Sequence, residues 1–287
     1  MKIIDILEEK KRGFSFEFFP PKTSKAKESF KKTVQILKRY KPLYVSMTYG
    51  ASGSSQEYTK EATYLLLSVK EFTVIPHLTC VGATAFSIRK LLDEYKLKGI
   101  ENIMALRGDP PKDKQFDFKK TQFPYAKDLV RFIKKNYNFC IGVALYPEGH
   151  IEEPSFDRHL QHMKQKIDAG ADFAVTQMFF DNSYFYSFLE KAKKAGISIP
   201  ILPGILPLYN ILKAKEFCLA CKATIPKKIQ EKMSSFLDKP EEMEKIGIDF
   251  TIKQCKDLIE KGYQRIHFFT LNRPRVMVKL LDALKNF

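Results

Sequence analysis

Glu17 stands in the run Phe14-Ser15-Phe16-Glu17-Phe18-Phe19-Pro20-Pro21, a carboxylate set among aromatic side chains. Successive side chains of a strand point to opposite faces, so Ser15, Glu17 and Phe19 share one face and Phe14, Phe16 and Phe18 the other. A carboxyl group in apolar surroundings resists ionisation, which raises its pKa and suits it to general acid work near neutral pH. A carboxylate paired with a basic neighbour is the alternative. Ser46 and Thr48 fall on one face of a second short run, His77 and Thr79 on one face of a third, and Gln177 follows Val175 in a later one. Polar groups that recur on one face near strand ends fit a ligand site better than a core.

The segment Leu106-Arg107-Gly108-Asp109-Pro110-Pro111 adds a glycine that lets a ligand approach the backbone, flanked by opposite charges. A plain turn salt bridge would use the same residues. Cys218-Leu219-Ala220-Cys221 has the spacing of a redox or zinc pair, but it lies in a helical pattern with no second pair, which favours a buried or incidental pair. His159 and His162, near Asp157, have a spacing that would serve a metal, although a solvated or cofactor-edge position suits them better, and no metal is expected. Neither a Gly-x-Gly-x-x-Gly fingerprint nor a Gly-Lys-Ser/Thr phosphate loop occurs, so a dinucleotide would bind without a Rossmann unit.

The elements that must position these groups alternate from residue 14 onward. Strands are predicted over 14–19, 43–49, 73–79, 102–106, 139–146, 173–179, 199–205 and 265–270. Amphipathic faces fall between them: Phe30, Val34 and Leu37; Ile88, Leu91, Leu92 and Tyr95; Leu160, Met163 and Ile167; Val276, Leu280 and Leu284. Thr84 and Ser155 sit where N-caps belong. Eight strands, each followed by a helix and without a hairpin signal, predict an α/β fold, a parallel (β/α)8 TIM barrel, over an open doubly wound sheet. The barrel's active face is the C-terminal end of its strands, where Glu17 lies. The segment 222–262 has helical patterning and no good strand, which predicts extra helices before the last strand. No linker composition interrupts the alternation, so a single domain over 1–287 is expected.

Composition narrows the class. Of 287 residues, 44% are hydrophobic and 29% charged, which argues for a folded globular chain and against disorder. Five cysteines, an odd number without framework spacing, suit a reducing compartment, and the N-terminus lacks a signal-peptide core, so the cytoplasm is expected. No apolar run is long enough to span a membrane. Forty-nine basic against 33 acidic residues give +16, a charge that attracts polyanions or simply reflects a surface of solvated lysines.

Taken together the motifs resemble those of the methylenetetrahydrofolate reductases, flavin enzymes that make 5-methyltetrahydrofolate. The resemblance covers almost the whole chain. It rests on the Glu17 run, Val45-Ser46-Met47-Thr48-Tyr49-Gly50-Ala51, Pro76-His77-Leu78-Thr79-Cys80 and Ala105-Leu106-Arg107-Gly108-Asp109. Tyr146-Pro147-Glu148-Gly149-His150, Asp168-Ala169-Gly170-Ala171-Asp172, Thr176-Gln177, Pro203-Gly204-Ile205-Leu206-Pro207 and Thr270-Leu271-Asn272-Arg273 follow in family order.

The resemblance implies a barrel carrying FAD across its C-terminal face and a ping-pong reaction in two halves. NADH or NADPH reduces the flavin and leaves; the flavin then gives hydride to 5,10-methylenetetrahydrofolate. It implies Glu17 as the acid that opens the folate ring and Asp109 as the charge beside the flavin that favours a cationic iminium. Cofactor contacts implied by motif or position are Thr48, Tyr49, Ala51, His77, Arg107, Gly108, Asp109, Ala126, Tyr146, His150, His159, His162 and Lys166. Thr48, Gln177, Phe217 and Arg273 are implied for the folate, Arg273 also for a carboxylate of a glutamate tail.

Three positions depart from the family pattern: His159 replaces a commonly found Asp, Ile151 a Pro, and Phe269 a Tyr. The chain stops just after the barrel, so no S-adenosylmethionine control through an appended regulatory domain is expected. The expected partners are small molecules, among them polyglutamylated folate, with neither nucleic acid nor membrane, and relatives imply a homo-oligomer. Competing readings are a folate-binding barrel subunit without flavin and a basic nucleic-acid-binding protein; bound flavin separates the first reading from both.

Overall fold

The computed structural model describes residues 1–49, 53–110 and 116–285. Among these, one parallel sheet contains β1 (Gly13–Phe18), β2 (Val45–Met47), β3 (Val74–Thr79), β4 (Asn102–Leu106), β5 (Cys140–Leu145), β6 (Phe173–Thr176), β7 (Ile201–Leu202), β8 (Gly204–Ile205) and β9 (Arg265–Phe269). The helices are α1 (Ile3–Glu9), α2 (Ser24–Lys38), α3 (Gly53–Leu67), α4 (Ala85–Leu97), α5 (Ala126–Asn136), α6 (Phe156–Asp168), α7 (Asn182–Lys194), α8 (Ile211–Cys221), α9 (Lys227–Ser234), α10 (Pro240–Glu260) and α11 (Pro274–Leu284).

Strands β1 to β6 pair in chain order, and β9 pairs with β1. β7 joins β6 while β8 joins β9, and Pro203 alone separates these two short strands. They therefore share the seventh position and close a (β/α)8-type TIM barrel. The strand predicted over 199–205 is thus divided. Pro203 has no N–H for a ladder, while its carbonyl accepts from the His267 N–H (2.9 Å) and the Gly204 N–H donates to Thr176 Oγ1 (2.9 Å). Only glycine fits there, because a Cβ on Gly204 would lie 2.1 Å from the Thr176 carbonyl oxygen.

Strand alternation sorts the aromatic run as the sequence predicts. Phe16 and Phe18 are fully buried against Phe30, Val34 and Leu37 of α2 and Leu280, Leu281 and Leu284 of α11, and Phe18 meets Phe30 edge-on at 5.6 Å. Truncating one such phenylalanine costs about 3–5 kcal/mol. Ser15 and Glu17 face inward. At the N-terminal end of the barrel α1 inserts Ile3, Ile6 and Leu7 against Tyr44, Ile75, Met104 and Phe173. Asn102 fixes that plug by accepting from the Ile3 N–H (2.7 Å) and donating to the Met1 carbonyl (3.1 Å). With this end filled, inward polar groups collect toward the other.

The predicted caps form: Thr84 accepts from the Ser87 N–H and Ser155 from the Arg158 N–H, each stabilising its helix by about 1 kcal/mol. The helices expected before the last strand are α9 and α10. The second of these braces two loops of the C-terminal face: Thr251 accepts from the Leu208 N–H (3.0 Å) and Gln254 donates to the Phe179 carbonyl (2.9 Å). No helix among the described residues is long and apolar enough to cross a membrane.

Candidate active site

Glu17 is the penultimate residue of β1, and the chain beyond it is fastened on both sides. Thr270, just past β9, donates from Oγ1 to the Glu17 carbonyl (2.6 Å), and Thr48, just past β2, donates its N–H to the Phe18 carbonyl (2.9 Å). Asn272 then grips Phe19, accepting from its N–H (3.1 Å) and donating to its carbonyl (2.8 Å). Leu271 and Asn272 both adopt left-handed backbone, at φ 49° and 54°. That geometry costs an L-residue roughly 1–2 kcal/mol, and asparagine tolerates it better than most.

Inside the barrel the Glu17 carboxylate lies between two imidazoles. His77 Nε2 of β3 is 3.4 Å from Oε2 and His267 Nε2 of β9 is 3.6 Å from the same oxygen. All three side chains are buried, and neither Nε2 has a hydrogen-bond partner of good geometry. The other His267 nitrogen, Nδ1, shares a 2.8 Å hydrogen bond with the Ser15 hydroxyl. The ring is stacked on Tyr44 at 5.6 Å and bordered edge-on by Phe269 at 5.5 Å. Ser46, buried on β2 beside β1, has a hydroxyl without a hydrogen-bond partner of good geometry.

The carboxyl group does not have the raised pKa that its aromatic flanks suggest. Burial pushes it upward, but the neighbouring His77 and His267 imidazoles outweigh burial and hold it below the ordinary value. His77 is itself lowered, by burial first, against the attraction of Glu17. The carboxylate is therefore ionised unless a ligand alters the balance between burial and its imidazole neighbours.

A second group gathers where β4, β5 and α6 end. Arg107 does not pair with Asp109. Its guanidinium forms a two-pronged bridge to Glu152 (2.5 and 2.7 Å) and lies 4.3 Å above the Phe118 ring. Gly108, at φ 84°, packs so closely that a Cβ would meet Val81 at 2.6 Å, so this turn requires glycine. Asp109 is exposed, and its charge is felt by Tyr146, His150 and Cys221.

Tyr146 packs on His150 (5.0 Å) and His159 (5.7 Å), and His159 Nε2 lies 3.3 Å from the Tyr146 carbonyl oxygen. Burial and the nearby Lys166 push His159 down to about 4, so it is neutral at pH 7. Lys166 reaches the Ala144 carbonyl and the Tyr146 ring, with no carboxylate partner among the described residues. Burial, with the Arg107 charge, lowers its amine to about 8. A sequestered amine beside two histidines and an arginine is a setting that fits an anionic, hydrogen-bonding ligand.

The remaining expected residues are spread over several elements. Gln177, just after β6, donates its N–H to the Leu145 carbonyl (2.6 Å), and its side-chain oxygen accepts from the Met178 N–H (2.9 Å). Phe217 lies half-buried on α8, Tyr49 is half-buried after β2, and Ala126 opens α5. Arg273 is exposed and stacks on Tyr209 at 4.5 Å. His162 is exposed on α6, away from the Tyr146 contacts that hold His159. Ala51 lies outside the described residues. Among the described residues no group of three or more His, Cys, Asp or Glu is arranged to hold a metal ion.

Sequence reasoning did not single out His267, Glu152 or Asn272 as site residues. The alternation that placed Glu17 inward would have placed His267 inward too. Nothing local marks Glu152 as the partner of Arg107.

Residues 2–285 match the family described as methylenetetrahydrofolate reductase. The chain is 37% identical over 278 residues to methylenetetrahydrofolate reductase 1 of Schizosaccharomyces pombe, an alignment covering 94% of this chain and 45% of that protein. It is 36% identical over 274 residues to 5,10-methylenetetrahydrofolate reductase of Escherichia coli, covering 94% and 90%. The chain thus spans about half of the fission-yeast relative and nine-tenths of the bacterial one. Among solved structures, an uncharacterised Clostridium thermocellum protein that binds two copies of 5-methyl-5,6,7,8-tetrahydrofolic acid superposes with a TM-score of 0.66 at 15% identity, covering 98% of this chain and 97% of that one. That likeness concerns the fold.

Proposed function

The chain belongs to the methylenetetrahydrofolate reductase family, and we propose on that basis that it reduces 5,10-methylenetetrahydrofolate to 5-methyltetrahydrofolate in the cytoplasm, with FAD as cofactor and NADH or NADPH as donor. One observation carries the assignment to this face of the barrel: a carboxylate buried between two imidazoles at the end of β1. When bound, FAD supplies the hydride chemistry, accepting from the nicotinamide and giving to the folate in separate half-reactions.

The residues of the second group suit the cofactor. Lys166, His150, His159, Arg107 and the Gly108 backbone would hold its polar parts, with Thr48, Tyr49, Ala51, His77, Ala126, Tyr146 and His162 as further contacts. Asp109 would sit beside the ring system, where a negative charge stabilises a cationic substrate.

Glu17 delivers the proton that opens the folate ring. In the ligand-free pocket His77 and His267 hold the carboxyl below its ordinary value, so it takes up a proton as the folate binds. A folate that displaces water and adds a basic nitrogen beside the carboxyl draws the proton to it. His77 and His267 therefore set the proton equilibrium of Glu17, the final donor. Thr48 and Gln177 orient the pterin, Phe217 lies against it, and Arg273, stacked on Tyr209, holds a carboxylate of the glutamate tail.

An anaerobic visible spectrum tests the assignment. Bound-flavin absorbance is expected to bleach with NADH or NADPH and return with methylenetetrahydrofolate. A protein that neither contains nor reconstitutes flavin is not this reductase.

A further inference from the structure

Cys218 and Cys221 occupy the last turn of α8 and are half-buried, whereas Cys80, Cys140 and Cys255 are buried; all five are free. Helical geometry puts residues three apart at a Cα separation of about 5 Å, within the span of a disulfide. The helix stops directly after Cys221: Lys222 is left-handed at φ 57°, and the Lys222 and Ala223 N–H groups both turn back to the Cys218 carbonyl. Absent a following turn, the backbone at Cys221 can adjust to bring the sulfurs together.

The pair sits on the wall of the site. Phe217, Cys218 and Cys221 pack against the apolar cluster that holds Met178, Leu206 and Leu208, which follow β6 and β8. Thr224, just past the helix, donates its N–H to Glu148 Oε1 (3.1 Å), which latches the end of α8 to the 146–150 loop. Phe217 precedes the first thiol.

We propose that Cys218 and Cys221 are an oxidisable dithiol, converted by hydrogen peroxide to an intrahelical disulfide that reshapes the last turn of α8. One thiolate attacks the peroxide, breaking the O–O bond to give a sulfenic acid and water. The second sulfur then displaces the sulfenic oxygen, forming the S–S bond and a second water. Two electrons leave the sulfurs, and the two thiol protons end in the waters. Burial holds Cys218 at about 12 and Cys221 at about 11, so Cys221 ionises first and oxidation accelerates as pH rises.

The oxidation is independent of the proposed reaction; its consequence, weakened folate binding beside Phe217, rests on that reading. The full-length protein, treated with hydrogen peroxide and unfolded for thiol counting, is expected to fall from five free thiols to three. It should become two hydrogens lighter, with the cross-link confined to the 218–221 peptide and formed faster at higher pH. Cys218→Ser and Cys221→Ser should each prevent it. Retention of five thiols, or oxygen added to a single cysteine, overturns the dithiol. In oxidised protein, folate affinity is expected to fall at least tenfold and return with dithiothreitol, with FAD content unchanged. Unchanged affinity overturns the proposed consequence. A disulfide in a protein that never binds folate leaves the dithiol standing and removes the reductase reading.

Discussion

Lys166 illustrates how a single buried amine can oppose the fold. Its amine is lowered to about 8 by burial, then by Arg107, so between pH 8 and the ordinary lysine value near 10.4 the unfolded chain holds more protons than the folded one. Stability therefore rises with pH across that window, and below it the ligand-free protein carries the whole penalty. Lys166→Met removes the penalty. We expect the flavin-free variant to gain about 1–3 kcal/mol at pH 7, with the gain vanishing above pH 10.5 or so, and flavin affinity to fall at least tenfold. Denaturant unfolding and flavin titration over pH measure both; a less stable variant that retains flavin contradicts this account.

At the same scale, Glu17 shows why a residue's neighbours in sequence mislead. The flanking phenylalanines point outward into the α2 and α11 layer. The groups that set its proton equilibrium arrive from β3 and β9. Replacing His77 by Gln removes the largest force lowering the carboxyl. The alkaline limb of the folate half-reaction is then expected at higher pH than in the parent protein, and an unmoved limb would show that His77 does not set the Glu17 equilibrium.

Among the elements, the turn after β9 has the clearest positioning role. Asn272 combines left-handed backbone with two hydrogen bonds to Phe19. Asn272→Gly keeps the backbone freedom and loses the clamp, at a cost of about 1–2 kcal/mol; Asn272→Ala adds roughly 1 kcal/mol of backbone strain. Both are expected to slow folate reduction more than flavin reduction by the nicotinamide. Equal stability of Gly and Ala would show that the left-handed geometry is not maintained in solution.

Element identity was largely legible because strand alternation, N-cap chemistry and helical spacing are local. The inward face of β1, the caps at Thr84 and Ser155, and the helices before β9 all follow from neighbours within a few residues. The division at Pro203 was less visible: an apolar run reads as one strand, although proline cannot donate and the chain there changes partner from β6 to β9. The Arg107 partner was hidden for a related reason, since Asp109 is close in sequence while Glu152 is brought near only by the packing of β5 and α6 onto β4.

For the whole molecule, a net charge of +16 faces ligands that are all anionic in the proposed reaction. Screening shortens electrostatic reach to about 8 Å at physiological salt. Raising the salt is therefore expected to increase KM for polyglutamylated folate more than for the monoglutamate, and equal salt dependence would assign the charge to general surface solvation. The barrel brings two polar groups to one mouth, one suited to an anionic cofactor and one to proton delivery, and the central claim is that the second serves only the folate step. Stopped-flow absorbance of the anaerobic protein, comparing Glu17→Gln with the parent, separates the two steps. Flavin reduction by NADH or NADPH is expected within about threefold of the parent, and reoxidation by methylenetetrahydrofolate slowed at least about a hundredfold. Equal slowing of both half-reactions, or unimpaired reoxidation, would contradict that claim.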